Sequence, residues 1–279
     1  MFLFAGFVLA AFICSRLVIP VVKGILTEAG FLHFNYRKEN IPLGMGLVFF
    51  LSTVLVTIFG KVLGYLNSEA YFFLFAISVM GLIGLVDDVF GTRRASGLGG
   101  HLKKLFMDRE MTTGALKAVT GGLIALTVSF ELDQGLGIYK WLFGIVNILT
   151  VALATNAINL LDLRPGRAGK SFLIFAAFVI LLGLGKPQLL YLAIVLGSLT
   201  ALLPLDLRAE AMMGDIGSNI LGITIGYVAV HVLPWPTLVI FVSILIALHL
   251  VTEKYSLTKI IDNNKFLTFL DALGRRRLH

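Results

Sequence analysis

A handful of acidic and amide residues at the ends of apolar runs could do chemistry in this chain. Asn156, Asn159 and Asp162 recur every third residue at the close of the uncharged run 141–154. On a helix they share one face. Arg164, Arg167 and Lys170 follow at once. Oxygen ligands beside fixed cations suit a metal ion and a phosphate; the plainer reading is a polar helix end with flanking positive charge. Asp87 and Asp88 end another apolar run, Gly81 to Val86. Such a pair is costly there unless solvated, bound to a cation, or paired with neighbours such as Arg93, Arg94, Lys103 and Lys104. Asp215 stands between Gly214 and Gly217 with Ser218 close by, just before a third apolar run. Taken alone, it reads equally as a helix cap.

The elements that must carry these residues are membrane helices. The chain has 279 residues, of which 58% are hydrophobic and 14% charged. That is the composition of an integral membrane protein. Apolar segments fall at about 2–22, 42–60, 70–86, 115–130, 140–158, 172–185, 188–204, 219–233 and 236–250. The fold class is therefore all-α and polytopic, with about nine transmembrane helices. Several segments are shorter than the roughly 20 residues that span a bilayer, so tilted or broken helices are expected.

With the N-terminus outside and the C-terminus inside, loops 23–41, 87–113, 159–171 and 206–218 and the tail 251–279 face the cytoplasm. They hold 18 of the 23 basic residues, as retention of positive charge on that side requires. Arg16 and Lys117 lie near cytoplasmic ends of segments, from which long side chains can snorkel. The expected organisation is a transmembrane domain over residues 1–250 and a basic amphipathic tail over 251–279 on the inner membrane surface. Asp87, Asp88, Asn159, Asp162 and Asp215 then come from three loops to one cytoplasmic-face site. Converging carboxylates repel one another unless a cation joins them. Oxygen-only ligands suit Mg²⁺ or Mn²⁺.

Other classes are set aside. One cysteine, Cys14, permits neither a disulfide nor a cysteine-rich metal centre within the chain. No basic residue precedes the first apolar run, so a retained span is expected rather than a cleaved signal. The net charge of +7 reflects the cytoplasmic bias and the attraction of anionic lipid and phosphate, not nucleic acid. Gly169-Lys170-Ser171 ends like a phosphate-binding P-loop, but Arg164 stands where that motif needs glycine. His101, alone in its loop, is given no role. Pro42, Gly44 and Gly46 open the second span and would let backbone approach backbone, or a ligand, closely.

Three motifs, Gly-Leu-Val-Asp87-Asp88, Asn156-Ala-Ile-Asn159-Leu-Leu-Asp162 and Met213-Gly214-Asp215-Ile-Gly217-Ser218, are similar in order and spacing to the signatures of the polyprenyl-phosphate N-acetylhexosamine-1-phosphate transferases, glycosyltransferase family 4. Pro42-Leu-Gly44-Met-Gly46 resembles that family's early element, and the resemblance covers residues 35–225. It implies transfer of a sugar-1-phosphate from a UDP-sugar to polyprenyl (undecaprenyl) phosphate at the cytoplasmic face of the plasma membrane, with release of UMP, in cell-envelope glycopolymer synthesis. Carried over, Asn159 and Asp215 would hold Mg²⁺. Asp87 would orient or deprotonate the lipid phosphate, with Asp88 and Asp162 in the surrounding shell. Asn156 and Ser218 would contact substrate, and a homodimer is expected by analogy.

The chain departs from the pattern in three places. Leu163-Arg164-Pro165-Gly166 replaces a Gly-x-Asp-Gly stretch, Glu210 stands where a lysine is usual, and the His-rich element near the C-terminus is missing, leaving His249 alone. An active divergent transferase would use Arg164, Arg167 and Lys170 to hold pyrophosphate. The alternative is a non-catalytic homologue that binds a polyprenyl-linked phosphate or an envelope-assembly partner. A transporter fits less well, because the charged residues sit at span ends rather than the midplane.

Overall fold

The computed structural model describes residues 1–91, 113–132 and 138–275. Arg93, Arg94, His101, Lys103, Lys104, Arg276 and Arg277 lie outside the described residues. The chain is an all-α polytopic membrane protein. Its helices are α1 (Phe2–Glu28), α2 (Leu47–Val62), α3 (Glu69–Phe90), α4 (Thr113–Glu131), α5 (Ile138–Leu161), α6 (Arg167–Leu182), α7 (Leu189–Leu207), α8 (Gly214–Val232), α9 (Trp235–Lys254), α10 (Leu257–Asp262) and α11 (Lys265–Ala272). Among the described residues seven helices are long and apolar enough to cross a membrane: α1, α3, α4, α5, α7, α8 and α9. Helix α2 is a shorter apolar helix. At 16 residues, α6 extends only about 24 Å, short of a hydrocarbon core of about 30 Å. All nine apolar segments of the sequence are thus helical over most of their length, two of them too short to cross without local thinning of the bilayer or snorkelling of flanking residues.

Helix α8 is the axis of the bundle. Seventeen of its 19 residues are buried, the exceptions being Asp215 near one end and His231 near the other. It packs against α2, α3, α5, α6 and α7, while α1 lies along α7. A helix enclosed by five others must carry no unpaired charge, and α8 has none between its two ends; its buried Asn219 and Thr224 donate to the carbonyls of Met80 and Ile220. At the end remote from Asp215, Phe73 stacks on Tyr191 at 4.8 Å between ring centroids, and Tyr227 closes the group. Hydrogen bonds from Gln188 to Glu69 and from Tyr191 to Asn67 tie the loops there together.

The polar stretch before α2 is a small antiparallel hairpin, β1 (Leu32–Phe34) with β2 (Asn40–Pro42). It continues into backbone pairing with the segment leading to α8: Met212 N–H donates to Pro42 O, Met45 N–H to Met212 O and Gly46 N–H to Met213 O, at 2.8 to 2.9 Å. Asn35 adds a buried bond to Ala209 O. The approach that glycine at 46 permits is realised here. A Cβ on Gly46 would stand 2.1 Å from Gly217 N, so only glycine fits. The early Pro-Gly element therefore sets where Asp215 emerges.

Candidate functional site

The site lies where α3, α4, α5 and α8 end together, and its carboxylates are held by backbone geometry. Gly84 lets α3 press against the start of α8: a Cβ there would lie 2.4 Å from Asp215 O. One turn on, Asp88 meets the α8 N-terminus, its Oδ1 accepting from Asp215 N–H at 2.9 Å and its Oδ2 from Ile216 N–H at 3.2 Å. These are orphan donors of a first helical turn, and an anion at that position is stabilised by the helix dipole as well. Asp88 thus caps α8 from another helix. Gly214, at φ +68°, brings the chain over that carboxylate.

With α8 fixed, Asp215 turns to the remaining gap. Its Oδ2 accepts from Lys117 Nζ at 3.0 Å, with side-chain exposures of 10% for the lysine and 28% for the aspartate. The Asp87 carboxylate lies within hydrogen-bonding reach of Asp215 and of the Thr113 hydroxyl. One ammonium therefore serves two adjoining carboxylates. Ser218 Oγ on α8 donates to Asn159 Oδ1 on α5 at 2.8 Å, which fixes that amide beside the group. Asp162, in the turn after α5, is close enough to Asp206, Asp215 and Asp88 to feel their repulsion. Burial, followed by these like charges, pushes its carboxyl well above the usual range.

The structure therefore brings together Asp87, Asp88, Asn159, Asp162, Asp215 and Ser218 from three separate sequence regions. It adds Lys117, whose position in the first turns of an otherwise apolar helix was the only sequence signal of its role. Asp206 is a second addition: buried at the end of α7, it accepts from Gly166 N–H at 2.9 Å. Asn156 lies one turn before Asn159, and its Nδ2 is 3.0 Å from Nε2 of His249 on α9. The other ring nitrogen, Nδ1, is 2.7 Å from Leu245 O. A carbonyl can only accept and an amide nitrogen can only donate, so Nδ1 carries a hydrogen and Nε2 accepts from Asn156.

Arg164, Arg167 and Lys170 are placed differently from the carboxylates, because the two C-terminal helices engage all three. Arg167 is buried and makes a bidentate pair with Asp271 of α11 at 2.7 and 3.0 Å. Arg275 approaches the same carboxylate at 2.8 and 2.9 Å and donates to Pro165 O. Lys170 Nζ donates to the carbonyls of Leu270, Asp271 and Leu273 at the end of α11, where a cation satisfies the orphan acceptors of a helix C-terminus. Arg164 pairs with Asp262 at 3.1 and 3.3 Å, both side chains being more than two-fifths exposed. A phosphate could reach Arg164 as it stands, but Arg167 only by displacing Asp271. The basic tail is thereby clasped onto the α5–α6 turn.

Among the described residues, no three His, Cys, Asp or Glu side chains form an all-protein metal cage. The donor set nonetheless fits Mg²⁺, which keeps several waters and takes one or two carboxylates together with substrate phosphates. Asp87 and Asp215 supply two adjoining carboxylates and Asn159 an amide oxygen. Lys117 balances only one of those two charges, leaving an anionic surplus for a cation to offset.

Comparison with known proteins identifies the family. The model of glycosyl transferase family 4 matches residues 70–233, a stretch containing Asp87, Asp88, Lys117, Asn156, Asn159, Asp162, Asp206, Asp215 and Ser218. The phospho-N-acetylmuramoyl-pentapeptide-transferase of Limosilactobacillus fermentum is 28% identical over 202 residues, covering 70% of this chain and 61% of that protein. The enzyme of the same name from Kosmotoga olearia is 33% identical over 208 residues, covering 71% and 61%. That from Clostridium kluyveri is 28% identical over 218 residues, covering 75% and 67%. The match thus spans about three-fifths of the length of the first of these relatives.

Proposed function

This chain belongs to glycosyl transferase family 4, and on that premise we propose that it moves a sugar-1-phosphate from a UDP-sugar to a polyprenyl phosphate, releasing UMP. The observation that carries this reading is the Asp87–Asp215–Lys117 group, capped by Asp88 and flanked by Asn159 and Asp162, at one end of a membrane bundle. With a divalent ion offsetting its surplus negative charge, such a group would hold a pyrophosphate and a lipid phosphate at the membrane surface. The excess of basic residues in the loops on that side supports a cytoplasmic location.

The residues divide the work by position. Asp215 and Asn159 hold the divalent ion, which when bound offsets charge developing on the pyrophosphate oxygens. Asp87 faces the same space and orients the attacking lipid phosphate. A phosphate monoester is already largely ionised at neutral pH, so this is a positioning role more than proton removal. Lys117 draws the donor phosphates toward Asp215 and keeps Asp87 and Asp215 from repelling each other apart. Asp88 acts through α8, whose first turn it fixes. Ser218 keeps the Asn159 oxygen turned inward, Asn156 contacts substrate one turn further in, and Arg164 is the cation of its loop that a phosphate meets. The N-acetylhexosamine class of sugar rests on the relatives alone.

The test is UMP release by the purified full chain in detergent, with Mg²⁺, undecaprenyl phosphate and a panel of UDP-sugars. Release that needs the lipid and Mg²⁺, and is lost in Asp215→Asn, is the expected result. A folded protein that binds the lipid yet releases no UMP from any donor would favour a non-catalytic phosphate-binding homologue.

A further inference from the structure

Both acidic residues of the two C-terminal helices are paired with cations, and Asp271 is buried. Asp262 pairs with Arg164, and Asp271 is enclosed by Arg167 and Arg275. At 100° per residue, Asp271 falls on the side of α11 opposite Phe266, Phe269 and the capping residue Leu273. Those three are 67%, 61% and 53% exposed. An eight-residue helix with its carboxylate buried and its phenylalanines outside inverts the usual arrangement of a surface helix.

The same inversion sorts the charge. Lys254, Lys259 and Lys265 are exposed, and among the described residues none of them makes an ion pair. Glu253 is the one exposed carboxylate of this segment without a cationic partner among those residues. The outward surface from Tyr255 to Leu273 is therefore aromatic and cationic. It continues along the chain from α9, whose outward residues Ile244, Leu250 and Val251 are apolar on a helix able to span a bilayer. Phenylalanine beside lysine at the edge of a hydrocarbon belt has the chemistry of a helix lying in an anionic lipid interface.

We propose that α10 and α11 form a two-faced strap. The inner face is ion-paired to the α5–α6 turn. The outer face, formed by Phe266, Phe269 and Leu273 with Lys259 and Lys265 and adjoined by Lys254 at the end of α9, seats in the headgroup region of an anionic bilayer. Lipid on one side and Arg167 on the other then hold the turn that follows Asp162. This inference stands on the tail's own contacts and does not depend on the transferase reading.

Site-directed spin labelling tests it with the full chain. Replacing the single cysteine (Cys14→Ser) and introducing Phe269→Cys puts one nitroxide on the outer face. Asn263→Cys, in the exposed turn between α10 and α11, is the reference position, and Phe266→Cys is a second label should the first perturb folding. In nanodiscs containing phosphatidylglycerol, the label on α11 is expected to favour oxygen over an aqueous nickel chelate several-fold more than the label at 263. That preference should fall in discs of phosphatidylcholine alone, and also in the triple variant Lys254→Gln, Lys259→Gln, Lys265→Gln. Equal access of the chelate at both positions overturns the proposal. So does a preference indifferent to anionic lipid, and so does spin–spin broadening at 269, which would assign the face to a second copy of the chain.

Discussion

Neutralising one buried carboxylate should release the tail. Asp271 is 7% exposed at its side chain, and Arg167, its bidentate partner, is 4% exposed. Asp271→Asn keeps the shape and removes the charge, leaving Arg167 buried without its counter-ion. Breaking a buried pair on one side costs about 3–5 kcal/mol. Titration gives a second measure. Burial opposes ionisation, but the Arg167 and Arg275 guanidiniums outweigh it and hold the carboxyl at about 2, against an ordinary 3.8. That depression is worth about 2.5 kcal/mol. At about 1.4 kcal/mol per decade, a loss near 3 kcal/mol raises the open population of the tail about a hundredfold. Amide hydrogen exchange over residues 257–272 at neutral pH reads this directly. Asp262→Asn is the comparison, since an exposed pair contributes at most about 1 kcal/mol. Protection in Asp271→Asn within a few-fold of the parent would refute the reasoning. Combining Asp271→Leu with both Arg167→Met and Arg275→Met should recover much of the loss, because both guanidiniums that meet Asp271 are then removed and no charge is left stranded. The pH dependence has a fixed sign. A depressed carboxyl contributes fully above its unfolded value, so the clasp should weaken only as pH falls from about 4 toward about 2.

Two further outcomes concern the site. Gly84→Ala would place a methyl carbon 2.4 Å from Asp215 O; it should lower stability by about 1–3 kcal/mol and, by moving Asp88 off the α8 cap, reduce UMP release more than the stability loss explains, as thermal denaturation and the release assay together would show. Asp162 is pushed up by burial and neighbouring carboxylates, so its ionisation opposes folding increasingly as pH rises above its unfolded value; without divalent ions, Asp162→Asn should raise the melting temperature at neutral pH and leave it unchanged in acid, and a lower melting temperature at neutral pH would contradict this.

Asp87, Asp88, Asp162 and Asp215 were legible in the sequence because each stands at the boundary of an apolar run, where an unexplained charge is expensive; Asp206 stands at such a boundary too, but only its contact with Gly166, 40 residues away, gives it a role. The Gly46 contact was legible for the same kind of reason, a residue chosen for its lack of a side chain. The pairing of Arg164 and Arg167 was not. Their partners lie 98 and 104 residues away, and a local pattern of cations is the same whether a phosphate or a distant aspartate will meet them. Lys117 and His249 were underweighted for a related reason. Each stands alone in an apolar helix, and only the packing of α4 on α3 and of α9 on α5 gives it a neighbour. The hairpin at residues 32–42 escaped notice because three-residue strands carry too few alternations to show a period of two.

The cap that Asp88 places on α8 has a consequence for the order in which the protein is made. Its acceptors are synthesised 127 residues before the N–H donor of Asp215, and the close approach at Gly84 cannot form until α8 arrives. At roughly 5–20 residues per second, α3 waits several seconds or more with Asp88 lacking the N–H groups it caps, although Lys117 follows much sooner. Two carboxylates at its end hold that terminus at the aqueous boundary during the wait. A nascent chain released before residue 215 would therefore carry an inserted but unfinished bundle, with its acidic pair open to water. Arrival of the most enclosed helix both completes the core and assembles the site, so an incomplete product lacks the two together.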